Sequence, residues 1–232
     1  MKAILMAAGM GTRISQKTNK PKSLLRVGES SIIRHTVEML QKNNIDVTII
    51  LGFKGDLIME NLKGLDVKYY VNPFFRVTNS IASLWFAKEQ LNSDSDIIFA
   101  NADVFWEQDI LDLLKNCNDD VVMLGDKTRV LKGDYFFKCK NDKLVEYGKE
   151  LNVNNRTCEY VGIAKISKNF MPDFVENLEY LIKEEEYNLW WENILYSLSD
   201  KKDIFVKDVE TRFWGEVDTI EDYNRILEHI NK

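Results

Sequence analysis

Chemistry concentrates first in the stretch Leu5-Met6-Ala7-Ala8-Gly9-Met10-Gly11-Thr12-Arg13, followed by Pro21-Lys22. An apolar strand runs straight into a loop of small residues, where alanine and glycine let a ligand approach the backbone closely. Gly9 and Gly11 are free to adopt positive φ, so successive N–H groups can form an anion-binding nest. Arg13 and Lys22 then add charge-assisted contacts to phosphate oxygens. Neither of two rival motifs fits. Ile14 stands where a dinucleotide fingerprint wants its third glycine, and the GxxxxGK[ST] run of a P-loop is absent. A glycine turn that merely joined strand to helix would leave Arg13 and Lys22 without a role.

Two distant aspartates come next. Asp103 stands just past the buried-strand pattern Ile97-Ile98-Phe99-Ala100. A hard carboxylate bridging Mg²⁺ to a triphosphate suits the sparse protein ligation that magnesium prefers, and a turn aspartate is the competing reading. Asp218 follows Phe213-Trp214-Gly215-Glu216-Val217 and precedes a helix. With Glu221 three residues on, it forms an equally good N-cap pair. Glu216 projects to the same side of an extended strand and is a reserve ligand. Thr78-Asn79-Ser80 opens a helix, and an N-cap accounts for one of these residues.

These groups need positioning elements. Short apolar runs (Lys2 to Met6, Val47 to Leu51, Val67 to Val71, Ile97 to Ala100, Val121 to Leu124) alternate with helical spacing over Ile32 to Lys42, Asp56 to Leu62, Ser80 to Leu91 and Asp109 to Leu114. Strands alternating with helices imply βαβ crossovers and a mostly parallel sheet, whose ligands bind beyond the carboxyl ends of the strands. After about Gly125 the pattern changes. Strands are expected at Tyr135 to Cys139, Lys143 to Tyr147 and Tyr160 to Ile166, then helices at Lys168 to Glu184 and Leu189 to Leu198. A strand at Asp203 to Val209, an extended stretch at Phe213 to Val217 and a helix at Ile220 to Ile230 close the chain. One domain is expected, with residues 1–125 as the nucleotide half and 126–232 as the acceptor half.

Composition narrows the partners. The 232 residues carry 31 Lys and Arg against 37 Asp and Glu, a net charge of -6, which lacks the bulk electrostatic footprint of a nucleic-acid binder. Three cysteines without a CxxC pair and two histidines, His35 and His229, exclude zinc and disulfide frameworks on spacing. No apolar stretch reaches membrane length, and the N-terminal apolar run is too short for a signal peptide, so cytoplasm is the expected location.

LMAAGMGTR with PKSLL resembles the G-x-G-T/S-R…P-K signature of the nucleotidyltransferases that activate sugar phosphates and alcohol phosphates, over nearly the whole chain. It resembles in particular the small cytidylyltransferases that act on phosphocholine and related phospho- or phosphonate compounds, in cell-surface or capsule precursor synthesis. The resemblance implies an α/β, Rossmann-like, GT-A-like fold with a small acceptor-side insertion. It implies that Ala7, Ala8, Gly9, Gly11 and Thr12 hold the nucleotide, that Arg13 and Lys22 bind its phosphates, and that Asp103 and Asp218 ligate Mg²⁺. It puts nucleobase contacts at Asn79 and Ser80, and matches Lys149 to the acceptor-side lysine of sugar-phosphate relatives. Trp190, Trp191 and Glu192 look like the aromatic-acidic stretch of phosphocholine cytidylyltransferases, where such a wall can hold a cationic head group.

The implied reaction is transfer of CMP from CTP to a small phosphorylated or phosphonate acceptor, such as phosphocholine, phosphoglutamine or 2-aminoethylphosphonate, releasing pyrophosphate. A phosphate monoester is largely ionised at pH 7, so no histidine base is required. Transfer of UMP or dTMP to a sugar 1-phosphate is the alternative. The absence of a hexapeptide-repeat extension before Lys232 favours the alcohol-phosphate branch. A nucleotide sensor without turnover is a third reading, against which Arg13, Lys22, Asp103 and Asp218 stand together. A homodimer is compatible with any of these.

Overall fold

The structure, a computed structural model, describes residues 1–11 and 20–232, so Thr12 and Arg13 lie outside the described residues. After β1 (Lys2–Ala7), a short 3-10 turn (Lys22–Leu24) leads to a small hairpin, β2 (Arg26–Val27) and β3 (Ser30–Ser31). The strand–helix alternation follows with α1 (Ile32–Lys42), β4 (Asp46–Leu51), α2 (Gly55–Asn61), β5 (Val67–Val71), α3 (Ser80–Phe86) and β6 (Ile97–Asn101). Next come β7 (Val104–Trp106), α4 (Gln108–Asn116), β8 (Val121–Asp126), β9 (Phe136–Lys140), β10 (Lys143–Gly148) and β11 (Cys158–Ile166). The chain closes with α5 (Met171–Lys183), α6 (Asn193–Tyr196), β12 (Phe205–Asp208), β13 (Trp214–Glu216) and α7 (Ile220–Ile230).

Among the described residues the main sheet has nine strands in the order β5-β4-β1-β6-β11-β8-β12-β10-β9. β5, β4, β1 and β6 are mutually parallel, while β11 and β10 run against their neighbours. The sheet is therefore mixed, with strands from both halves of the chain. β1 lies between β4 and β6, so the chain reverses its direction of travel across the sheet at β1. A crevice opens at such a switch point.

The period-2 pattern of β1 divides its side chains between two cores. Ala3, Leu5 and Ala7 join one buried cluster with Ile33, Val37 and Leu40 of α1 and Ile110 and Leu114 of α4. Ile4 and Met6 join the other, with Ile81 and Leu84 of α3 and Phe174 and Leu178 of α5. Helices thus cover both faces, as buried parallel strands require.

Two expected helices are shorter than their spacing implied. The helix expected from Ser80 to Leu91 ends at Phe86 and continues as a 3-10 turn, Lys88–Leu91, which keeps Leu91 in the core. The helix expected from Leu189 to Leu198 shrinks to α6. Its first residues dock on the start of α3: Leu189 O accepts from Ile81 N (3.2 Å), and Trp191 N donates to Ser80 Oγ (2.8 Å). Strand β7, too short for a periodicity signal, pairs with β13 in a separate two-stranded sheet. The turn expected at Asn141-Asp142 has positive φ at both residues (52° and 58°), the geometry that joins β9 to β10 in a tight hairpin.

Candidate active site

At the carboxyl ends of β1 and β6 lies a cavity of about 210 Å³, walled by Ala7, Ala8, Gly9, Gly11, Lys22, Asn79, Ser80, Asp103, Trp190 and Glu216 among others. The two glycines contribute differently. Gly11 has φ 54°, and a Cβ there would stand 2.8 Å from Lys22 Cγ, so glycine lets the lysine stem cross the loop. Gly9 is not in the left-handed region, contrary to the expectation for the pair, and a Cβ there would meet nothing within 4 Å. Its small size leaves space for a ligand. Gly52, after β4, carries a constraint the sequence did not reveal: a Cβ there would lie 2.5 Å from Ala8 O. The neighbouring Phe53 N donates to that same oxygen at 3.2 Å, bracing the loop from below.

The small β7–β13 sheet brings the distant aspartates together. Its antiparallel register pairs Val104 with Glu216, so Asp103 just before one strand faces Val217 just after the other. Val217 N donates to Asp103 O at 3.1 Å. Asp218 is the next residue. Lys22, 9% exposed, spans the pair: its Nζ hydrogen-bonds Asp218 Oδ1 and lies 3.6 Å from Asp103 Oδ2.

The capping reading of Asp218 is corrected. Thr219 is the N-cap of α7, its Oγ1 accepting from Asp222 N (3.2 Å). Asp222 answers by accepting from Thr219 N (2.8 Å) and Asp218 N (3.2 Å). The capping box sits one residue later than Asp218-Glu221 would place it, so the Asp218 carboxylate is turned to Lys22 rather than to the helix.

Electrostatics fit this crowding. Burial works against the charge on Lys22, but Asp103, Asp218 and Glu216 outweigh it and raise its pKa. Asp103 is raised by loss of hydration, opposed by Lys22 and reinforced by Asp218. Glu216 is raised well above the carboxylate range by burial, then by Asp103 and Asp218. Three carboxylates around one ammonium form a site with cation demand left over. Among the described residues no group of three acidic, histidine or cysteine side chains forms a ready metal cage. Two aspartates that share one cation do suit an ion taking most of its ligands from phosphate oxygens and water.

The model of the MobA-like NTP transferase domain matches residues 3–153. The chain belongs to this family. Over 96% of its length it is 25% identical to the CTP:phosphoglutamine cytidylyltransferase of Campylobacter jejuni, covering 97% of that protein. It is 27% identical to the choline-phosphate cytidylyltransferase of Streptococcus pneumoniae, across 98% of this chain and 97% of the relative. A solved structure of the CTP:phosphocholine cytidylyltransferase of Streptococcus pneumoniae superposes with a TM-score of 0.81 at 21% identity, over 99% of this chain and 98% of that one.

The remaining site residues of this NTP transferase divide cleanly. Asn79 and Ser80 line the cavity but also hold the backbone. Asn79 Oδ1 accepts from Ser80 N (2.8 Å) as the N-cap of α3, and Ser80 Oγ accepts from Trp191 N. Thr78, of the same expected segment, joins this wall, as do Phe75 and Ser83, which were not singled out from sequence. Behind them Asn72, fully buried, donates to Thr78 Oγ1 (3.1 Å) and Ser83 Oγ (2.9 Å). An isolated asparagine after a strand gave no signal of that role.

Trp190 and Trp191 point to different places. Trp190 is 37% exposed, lines the cavity and meets Tyr135 edge-on at 5.5 Å. Trp191 is fully buried, stacked on Phe99 at 5.2 Å, with Nε1 donating to Asn101 Oδ1 (3.2 Å). It supports the wall from behind instead of lining it. Glu192 is also buried, receives Asn101 Nδ2 at 3.4 Å, and is pushed up to about 7 by burial. Lys149 Nζ lies 5.1 Å from the Trp190 ring and pairs with Asp134 Oδ2 at 2.6 Å. Tyr135, Tyr147 and Tyr196 stack beside them, Tyr147 on Tyr196 at 4.3 Å. The aromatics Phe213 and Trp214 belong elsewhere: Phe213 stacks on His229, and Trp214 Nε1 donates to Asp126 Oδ2 (2.8 Å).

Proposed function

We propose that this NTP transferase moves CMP from CTP to a small phosphorylated or phosphonate acceptor, with Mg²⁺ and release of pyrophosphate. The supporting observation is Lys22, held across Asp103 and Asp218 at the carboxyl ends of β1 and β6, beside the glycine loop. The cytosine base and the phosphorylated acceptor are drawn from relatives that align end to end with this chain.

In this reading the loop from Ala7 to Gly11 cradles the nucleotide, and Asn79 and Ser80 lie against the base. Asp103 and Asp218 would hold Mg²⁺, which when bound neutralises triphosphate charge and makes the α-phosphorus more electrophilic. An acceptor oxygen, already ionised at pH 7, forms the new bond to the α-phosphorus while the bond to the β-phosphate oxygen breaks. Lys22 donates to the phosphate oxygens on which charge grows, and Arg13 is assigned the same task by its motif. The residues to about 125 serve the nucleotide, and those from about 126 the acceptor. Trp190 and Lys149 are the acceptor-side groups, with Trp191 and the buried Glu192 bracing them.

A pyrophosphate-release screen tests the reading, crossing CTP, UTP, dTTP, ATP and GTP with phosphorylated and phosphonate acceptors. Release with CTP and an alcohol phosphate or phosphonate is the expected result. Release only with UTP or dTTP and a sugar 1-phosphate would replace it. Tight CTP binding with no release under any condition would make the protein a sensor.

A further inference from the structure

Lys22 stands where a divalent cation shared by the two aspartates would be held. Its Nζ hydrogen-bonds Asp218 Oδ1 and lies 3.6 Å from Asp103 Oδ2, with Glu216 adding to the same negative field. The course of the side chain is set by packing. A Cβ at Gly11 would stand 2.8 Å from Lys22 Cγ and 3.1 Å from both Cδ and Cε, so the stem lies along the glycine and is nearly buried.

Mg²⁺ sits about 2 Å from its oxygen ligands. An ion bridging Asp218 Oδ1 and Asp103 Oδ2 would overlap the ammonium or press against it, like charge on like charge. A metal taken by the other carboxylate oxygens, with Lys22 left in place, is the rival arrangement. Lys22 has somewhere else to go. It also lines the cavity beside Gly9 and Gly11, where the phosphates lie in the proposed arrangement. Lysine is a compact charge on a flexible stem, and a phosphate oxygen can replace a carboxylate as its charge-assisted partner.

We propose that Lys22 is a tethered counterion, which holds the cation position between Asp103 and Asp218 until the phosphates of a nucleotide draw its ammonium away. The phosphate displaces the lysine; the metal does not. The carboxylates thus stay paired before nucleotide binds, and they accept a metal ion only once the triphosphate is in place. The identity of that triphosphate rests on the nucleotidyl-transfer reading.

Metal binding without nucleotide tests the exchange, with Mn²⁺ as the probe and its free concentration read by electron paramagnetic resonance. Lys22→Met keeps the stem and removes the charge, and it should bind Mn²⁺ at least about tenfold more tightly than the wild type. Lys63→Met removes an equal charge from an exposed position and should match the wild type. Equal affinity in the wild type and Lys22→Met overturns the proposal, because metal and lysine would then bind side by side. Equal tightening in Lys63→Met overturns it as well, by making net charge the cause.

A second measurement needs only the wild type and decides the matter if Lys22→Met fails to fold by circular dichroism. The α,β-methylene analogue of CTP, titrated by calorimetry in EDTA, should bind within roughly tenfold of its affinity in Mg²⁺. Binding that appears only with Mg²⁺ would show that phosphate alone cannot draw the lysine off, and would overturn the proposal. Failure of the transfer reading looks different: no analogue binding with or without Mg²⁺, an outcome that leaves the nucleotide-free Mn²⁺ comparison to stand by itself.

Discussion

In the proposed arrangement, the nucleotide side of the cleft and the acceptor side are built from different materials. The first is mostly backbone and strand ends: a glycine loop after β1, Asp103 after β6, and one lysine whose stem crosses Gly11. The second is mostly side chains: Tyr135 just before β9, Tyr147 of β10, Trp190, and Tyr196 of α6 touch ring to ring. A site made from strand ends is fixed by sheet topology and tolerates little change. A site made from side chains can be rebuilt for a new acceptor without disturbing the sheet. One fold can then keep its nucleotide chemistry while its acceptors diverge.

The sharpest way to break that contrast is at the carboxylates. Asp103→Asn should lower magnesium-dependent turnover by about 10³-fold while leaving the chain folded, because Lys22 keeps its hydrogen bond to Asp218 when the Asp103 charge is gone. Pyrophosphate release against magnesium concentration measures it, with circular dichroism as the folding control. Retained turnover would mean that the strand-end geometry is not where the chemistry happens. Lys22→Ala should lower kcat by about 10²-fold, by analogy with the loss of one oxyanion donor. It also leaves Asp103, Asp218 and Glu216 facing one another without their shared cation, so thermal stabilisation by Mg²⁺ should be larger in this variant than in the wild type.

The acceptor side should reveal itself through pH instead. Glu192 is pushed up to about 7 by burial, above the ordinary carboxylate value near 4.5. The folded chain therefore holds that proton more tightly than the unfolded one. This contribution to stability is fully present below about pH 4.5 and is lost as pH rises through about 7, a change on the order of 3 kcal/mol. Glu192→Gln should flatten that slope, measured by urea unfolding at pH 5 and pH 8. An unchanged slope would mean that Glu192 is hydrated, and that the acceptor wall is wetter than its packing implies.

The same contrast explains what was legible in the sequence. β1, α1 and α7 matched their expected bounds closely because their apolar spacing is strong and their ends carry local signals. Gly11 and Asp103 were legible because each stands a few residues past a strand end, and Lys22 because it follows Pro21 in the same motif. The pairing of β7 with β13 was not, since three residues carry no period, and yet it joins Asp103 to Asp218. Trp190 and Trp191 are adjacent in sequence and alike in type, but one is open to the cavity and the other is sealed against Phe99. No local pattern separates them; only the docking of Leu189 and Trp191 on α3 does.

The smallest expected effect tests how finely the nucleotide side is set. Thr219 caps α7, and its box with Asp222 also anchors the backbone N–H of Asp218. Thr219→Ala should cost about 1 kcal/mol of stability, the usual value of an N-cap. If strand-end geometry governs this side of the cleft, the same change should raise the magnesium concentration needed for half-maximal rate by a few fold, because Asp218 is no longer held in register. Thr219→Ser restores the cap oxygen and should restore both quantities together. Stability that falls while the magnesium requirement stays fixed would show that β13 alone holds Asp218, making the cap a feature of the helix and not of the site.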